Sequence, residues 1–305
     1  MVLVSWYWVP AVIDALRAAV HTESTFWRKA LEAGVRYGPD SFVRHSPRVF
    51  GWMFGAALPD ARATVRRTLR KIVGPRPASE ELRDVAEVFG NFATSMTDGM
   101  LVGAGRGYHV TTRPIGDWHF LRSLAGGRGI ILAAANTAGW DIAGSATANV
   151  RDEPVMVVMQ REGNSEARIV HDELRRRGGI EICHVGDDAR DALPVLRHLR
   201  GGGIVALKFD RTMKGMRTRN VTFLGQPWRI AEGPLKLAAV SGAPILPVFT
   251  RRLGFLEYQL INTRPLRLSR RPSETELDDV AQTMADRLQQ FVRAHPTHWF
   301  RFVDE

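Results

Sequence analysis

From Gly129 onward, apolar runs of strand length recur at residues 130–134, 155–159, 180–185, 204–207 and 245–249. They are mostly continuous rather than alternating, which suits strands covered on both faces. Between them, residues 165–177 and 193–199 carry helical spacing. Strands alternating with helices predict a mostly parallel sheet covered by helices on both faces. Residues 258–268 read as a further strand and residues 274–293 as a long helix against the sheet.

The first hundred residues follow a different period. Ile13, Leu16 and Val20 share one helical face, and Phe26, Trp27, Ala30 and Leu31 continue the apolar pattern. Leu82, Val85, Phe89, Phe92 and Met96 recur by threes and fours, which predicts a helix over 79–101. The Gly74-Pro75-Arg76-Pro77 break precedes it, and Glu80 and Glu81 suit its positive N-terminal end. The expected fold class is α/β, one domain over 1–305, with a helical N-terminal cap (1–105) and an α/β core (106–305).

Composition narrows the partners. The net charge of +10, carried mostly by arginine, favours anionic surfaces or phosphorylated ligands, although arginine on solvated faces accounts for part of it. The basic residues are dispersed, and neither zinc-finger spacing nor an RNA-recognition aromatic pair occurs, so no nucleic-acid partner is expected. The single cysteine, Cys183, excludes a disulfide framework and reads as a small buried hydrophobe. No run reaches the roughly 18–20 apolar residues that cross a bilayer. The Val2-Leu3-Val4-Ser5-Trp6-Tyr7-Trp8-Val9 segment is read two ways, as an aromatic membrane-interface anchor or as a packed core helix. It has no basic leader or small-residue cleavage site of a signal peptide.

Candidate chemistry gathers where apolar runs end, since parallel sheets bind ligands outside the carboxyl ends of their strands. The first run leads into Asn136-Thr137-Ala138-Gly139-Trp140-Asp141, the second into Gln160-Arg161, and the fourth into Lys208-Phe209-Asp210-Arg211. Each taken alone suits a capped turn or a solvated loop. Their convergence points to a site for an anionic or polar ligand.

In these residues the chain resembles the lipid A late acyltransferases (lauroyl and myristoyl transferases) of the lysophospholipid acyltransferase superfamily. The run from Gly129 to Asp141 is similar to a block in which a hydrophobic strand delivers a histidine, followed after four residues by an acid. Lys208-Phe209-Asp210-Arg211 through Val221-Thr222-Phe223-Leu224-Gly225, then Gly233-Pro234 and Gly242-Ala243-Pro244, follow in the family's order. His295-Pro296-Thr297-His298-Trp299-Phe300 resembles its proline–tryptophan tail, and Phe89-Gly90-Asn91-Phe92 also fits, so that the likeness covers about residues 79–302.

The resemblance implies transfer of a fatty acyl group from an acyl carrier protein or coenzyme A thioester, a co-substrate, to a hydroxyl or amine of a lipid-like acceptor. The polar residues lack metal-ligand spacing, so no metal is expected, nor a tightly bound cofactor; the aromatic N-terminus, the +10 charge and the lack of a spanning run point to a peripheral site at the cytoplasmic side of the cell membrane. By the same resemblance Asp141 would orient the catalytic centre; Arg161, Asp210 and Arg211 are the candidates for holding substrate, since guanidinium forks suit phosphate and carboxylate groups. The centre itself departs from the pattern, because position 136 is Asn, which has no titratable nitrogen near neutral pH. Gly139 also stands where the family often has Asn. An engineered change, a natural variant with altered chemistry, and a non-catalytic acyl-carrier- or lipid-binding protein remain open. A phosphate-binding glycosyltransferase ranks behind, without an Asp-x-Asp site or a Gly-rich nucleotide loop. No other histidine stands out as a substitute: His171, His184 and His198 suit structural roles, and His109 and His119 precede the first run.

Overall fold

A computed structural model describes residues 33–104, 106–116, 129–140, 155–160, 180–186, 189–212 and 215–303. The helical patterns expected before residue 33 and over 165–177 lie outside these residues. Among the described residues, helices α1 (Asp40–Ala57), α2 (Pro59–Val73) and α3 (Ala78–Gly103) precede the sheet. Strands β1 (Thr111–Ile115), β2 (Ile130–Ala134), β3 (Val155–Gln160) and β4 (Ile180–Val185) follow, then α4 (Ala192–Arg200) and β5 (Ile204–Lys208). The hairpin β6 (Thr218–Phe223) and β7 (Gln226–Ala231) leads to α5 (Gly233–Ser241), β8 (Ile245–Gly254), β9 (Glu257–Asn262) and α6 (Glu274–Ala294).

Seven strands form one sheet in the order β1-β9-β8-β2-β5-β3-β4. Its five strands from β8 to β4 run parallel, whereas β9 pairs antiparallel with β8 and β1 follows β9 in parallel. The sheet is thus mainly parallel, as expected, with a reversed edge. The last strand is shorter than its pattern suggested: pairing stops at Asn262, and Leu266 makes only an isolated bridge to Ile245.

Central strand β2 is buried along its whole length, with Ile131, Ala133 and Ala135 facing one core and Ile130 and Leu132 the other. Helix α6 lays Leu277, Ala281, Met284, Ala285 and Leu288 on the first of these cores. Ser273 caps it, its Oγ accepting from the Glu276 N–H at 3.1 Å. Hairpin β6–β7 is fastened to α6 by Arg219, which bonds Glu232, Glu274 and Asp278 at 2.7–3.0 Å. In the cap, α1 lies close on α3 because Gly51 and Gly55 present no side chain. A Cβ at Gly51 would stand 2.4 Å from the Phe89 carbonyl oxygen. The stripe expected on α3 is rotated: Val85 and Phe89 are buried with Val88 and Leu101, while Leu82 and Met96 are exposed. Where α1 and α2 press against α3 decides which face is covered.

Candidate active site

The carboxyl ends of β2, β5 and β3 are neighbours in the sheet, so three of the polar strand ends converge as the pattern implied. Gln160 ends β3; Arg161 and Asp141 lie outside the described residues. Beyond β2 the chain turns sharply. Thr137 N–H donates to Ala135 O at 2.7 Å and Trp140 N–H to Thr137 O at 3.2 Å. Gly139 makes this turn with φ +76°, and a Cβ there would meet the Tyr258 ring at 2.3 Å. The departure at position 139 therefore has a steric cause, since a residue with a Cβ cannot stand against that ring.

Asn136 is buried. Its Nδ2 donates to Phe300 O at 2.7 Å, and its Oδ1 accepts from Lys208 Nζ at 3.0 Å. Its backbone N–H donates to Asp210 Oδ2 at 2.9 Å, and its carbonyl accepts from Phe300 N–H at 2.9 Å. The Lys208 ammonium lies 3.8 Å from the Trp140 ring centroid, a cation–π distance. Lys208 ends β5, which pairs with β2. The polar end of this run was visible in the sequence, but its partner lies 72 residues away, and only the strand pairing brings them together.

Asp210 is buried, and Oδ2 accepts a second bond from Trp299 Nε1 at 2.8 Å. Its other oxygen, Oδ1, is buried with no hydrogen-bond partner among the described residues. An ionised carboxylate accepts several donors, and a buried oxygen without one is costly, so Oδ1 suits an N–H or O–H brought by a ligand. Asp210 and Arg211 line a small surface cleft together with Trp299, Phe300, Arg301 and Phe302. Arg211 is exposed, so of the predicted substrate-holding residues Asp210 sits at the buried side of this cleft and Arg211 on its open side.

Tail residues 298–300 run beside the turn. Ala138 N–H donates to His298 O at 2.9 Å, and Thr137 bridges Trp299 in antiparallel fashion. Phe300 and Phe302 pack on Phe92, and Asn91 Nδ2 donates to Thr297 O at 3.1 Å, so α3 holds the tail in place. His298 donates through Nε2 to Arg252 O at 3.2 Å; burial, with the nearby arginines and His295, pulls its pKa down to about 4. It is neutral at physiological pH.

A second polar cluster escaped the sequence reading. Asp98 on α3 is buried, and its Oδ2 accepts from Arg252 Nε at 2.7 Å and Tyr258 Oη at 2.8 Å. Burial pushes its carboxyl above the usual range, against the lowering pull of Arg252. Tyr258 is the ring that packs on Gly139, so this pair ties the cap to the turn. A mid-helix aspartate carries no sequence signal for such a role.

Cys183 is partly buried on the edge strand β4, and burial raises its thiol pKa, which disfavours the nucleophilic thiolate. Among the described residues no group of three or more His, Cys, Asp or Glu side chains could hold a metal ion.

The sequence profile of the bacterial lipid A biosynthesis acyltransferases matches residues 18–304. The phosphatidylinositol mannoside acyltransferase of Mycobacterium tuberculosis is 28% identical over 196 residues, 59% of this chain and 55% of that protein. That of Mycolicibacterium smegmatis is 24% identical over 278 residues, 82% of this chain and 86% of its own. The chain thus spans little more than half the length of the Mycobacterium tuberculosis relative. With the profile matched across nearly its whole length and a mainly parallel sheet presenting the expected blocks at neighbouring strand ends, the chain belongs to the bacterial lipid A biosynthesis acyltransferase family.

Proposed function

We propose that this protein transfers a fatty acyl group from an acyl-carrier-protein or coenzyme A thioester to a lipid or glycolipid acceptor, docked at the cytoplasmic side of a membrane. The observation that carries the reading is the turn around Asn136. It stands at the end of the central strand, bracketed by Lys208 and Asp210, and Asp210 keeps a buried oxygen without a partner. Arg211 and Arg301 at the adjoining cleft suit a phosphate or carboxylate on donor or acceptor. The relatives' substrate, phosphatidylinositol mannoside, supports a phosphorylated glycolipid as acceptor class. No metal or tightly bound cofactor enters this reading.

Support for membrane docking comes from α1, whose outer face exposes Phe42, Val49, Phe50, Trp52 and Met53 beside a chain of net charge +10. Among the described residues, no helix is long and apolar enough to cross a membrane. In this reading Asp141 has the orienting role that the resemblance implies, and Arg161 holds substrate through its guanidinium fork.

One observation favours a second reading, a non-catalytic acyl-carrier or lipid binder: both ends of the Asn136 amide are bonded to protein atoms. Turnover separates the two. Purified protein should release free thiol from palmitoyl-coenzyme A in the presence of an extracted lipid acceptor. Asp141→Ala should lower that rate by about 10²-fold, the loss typical of a reacting group held out of position. Thiol release no faster than the blank, with retained binding of the thioester, would establish the binder instead.

A further inference from the structure

The resemblance places a proton acceptor at position 136, yet Asn136 is an amide that takes up no proton near neutral pH. Both ends of its side chain are bonded as well, Nδ2 to Phe300 O and Oδ1 to Lys208 Nζ. A hydroxyl acceptor still has to lose its proton as it attacks, so the base stands elsewhere in the same site. The side chains of Arg211, Trp299, Phe300, Arg301, Phe302 and Val303 line the cleft beside the turn, and they carry hydrogen-bond donors only or no polar atom at all. Asp210 is the remaining lining residue. Its carboxylate is the one side chain, among the described residues of the cleft, that can take a proton. His298 does not line the cleft, and its Nε2 donates to Arg252 O.

The geometry around Asp210 suits that task. Phe209 before it is fully buried and tied on both sides, its N–H donating to Ala134 O at 3.0 Å and its carbonyl accepting from Ala231 N–H at 2.9 Å. Oδ2 accepts from the Asn136 N–H at 2.9 Å and from Trp299 Nε1 at 2.8 Å, which fixes the plane of the carboxylate. Oδ1 is left with no hydrogen-bond partner among the described residues, on a residue only 4% exposed. A carboxylate placed for structure alone would satisfy both oxygens with protein donors, because a bare buried acceptor is costly.

We infer that Asp210 is the general base of this site, receiving on Oδ1 the proton of an acceptor hydroxyl. The inference rests on the acyltransferase reading and deepens it, since the acceptor group is then a hydroxyl such as a glycolipid carries. The step balances with the two substrates alone. As the acceptor oxygen bonds to the thioester carbonyl carbon, its proton passes to Oδ1 and the carbonyl π electrons move to the carbonyl oxygen. Transfer during attack means that the hydroxyl is not ionised beforehand. The oxyanion then collapses, the C–S bond breaks with its electron pair on sulfur, and the thiolate takes the proton from Asp210. An ester and a free thiol leave, and the carboxylate is restored. Asn136 and Trp299 are positioning residues, acting through the bonds they donate to Oδ2.

The test uses the full chain with palmitoyl-coenzyme A and phosphatidylinositol mannosides in detergent micelles. Thiol release is read above the uncatalysed background, and the acylated lipid is identified by mass spectrometry. In Asp210→Asn the amide oxygen can accept both bonds that Oδ2 accepts, while the NH2 group stands in place of Oδ1 and receives no proton. This variant should keep KM within about threefold and lose about 10²-fold or more in kcat, the span of general base catalysis. Asp210→Ala opens a space that a small carboxylate can enter. Sodium formate should raise its kcat by about tenfold or more over an equal concentration of sodium chloride, and should raise neither the parent nor Asp210→Asn. A merely structural Asp210 gives no such rescue. Thermal melts show which variants fold, and where Asp210→Asn does not, formate on Asp210→Ala decides. An unchanged kcat in folded Asp210→Asn, a folded Asp210→Ala that formate leaves inert, or loss of the fold in both variants, which would mark the carboxylate as structural, would each overturn the assignment. The parent's ester product would leave the acyltransferase reading intact in all three cases. A parent that releases no thiol with this acceptor would overturn both.

Discussion

Gly139 shows how a single backbone position constrains the candidate site. Its φ of +76° is disfavoured for residues with a side chain, and the space a Cβ would occupy is filled by the fully buried Tyr258 ring. Gly139→Ala should therefore cost about 2–4 kcal/mol, combining left-handed strain with overpacking. Urea unfolding would measure this, and a loss below about 0.5 kcal/mol would show that the ring yields freely. Activity should fall with stability, since the turn also carries Asn136 and Trp140. At this scale the sequence was legible in part. Asn136, Asp210 and Arg211 stood at strand ends and carried the resemblance, and Asn136 and Asp210 do meet through a 2.9 Å hydrogen bond. Tyr258, Asp98 and Trp299 were not legible as site residues, because their importance comes from contacts with residues 89–160 positions away.

At the scale of elements, the tail and the helix beneath it give a pH signature. His298 is held neutral, with a pKa near 4 against an ordinary value of 6.5. Below pH 6.5 the unfolded chain binds a proton at this histidine that the folded chain refuses. Stability is therefore fully present above about pH 6.5 and declines as pH falls toward about 4, by about 2–3 kcal/mol for this group alone. Asp98 acts in the opposite sense, because its raised pKa favours the folded state as pH falls. Urea unfolding from pH 7.5 to 4.5 should show a shallower acid slope in His298→Gln than in the parent. Equal slopes would mean that His298 takes up its proton in place. The same scale shows what patterning can and cannot convey. Buried parallel strands such as β2 and β5 announce themselves by continuous apolar runs. Strand β1, Thr-Thr-Arg-Pro-Ile, is a mostly exposed edge with a proline and carries no such mark. Hairpin β6–β7 has no continuous apolar run, and its place against α6 is set by Arg219, whose partners Glu274 and Asp278 lie more than fifty residues away. The direction of β9 depends on a short turn after β8 rather than on its own residues.

For the whole molecule, the membrane prediction joins charge to shape. The +10 charge gives long-range attraction to anionic lipid, and the outer face of α1 gives short-range insertion. The protein should sediment with vesicles containing phosphatidylglycerol at low salt and much less with purely zwitterionic ones. Phe50→Ser with Met53→Ser should weaken that binding by about tenfold, given the transfer value of such side chains. Equal absence from both vesicle pellets at low salt would sink the idea.

The bonds between Asn136 and Phe300 also have a consequence for biosynthesis. They join residues 164 positions apart. At about 5–20 residues per second, roughly 8–33 s separate the synthesis of one partner from that of the other. In the first part of that interval β2 lacks β5 and β8 beside it, and throughout it the Asn136 turn has neither Trp299 nor Phe300 to lie against. A nascent chain halted before residue 298 can assemble the helical cap and β2, β3 and β5, yet it holds no formed reaction centre. Competence arrives late and all at once, when the tail runs back beside the turn.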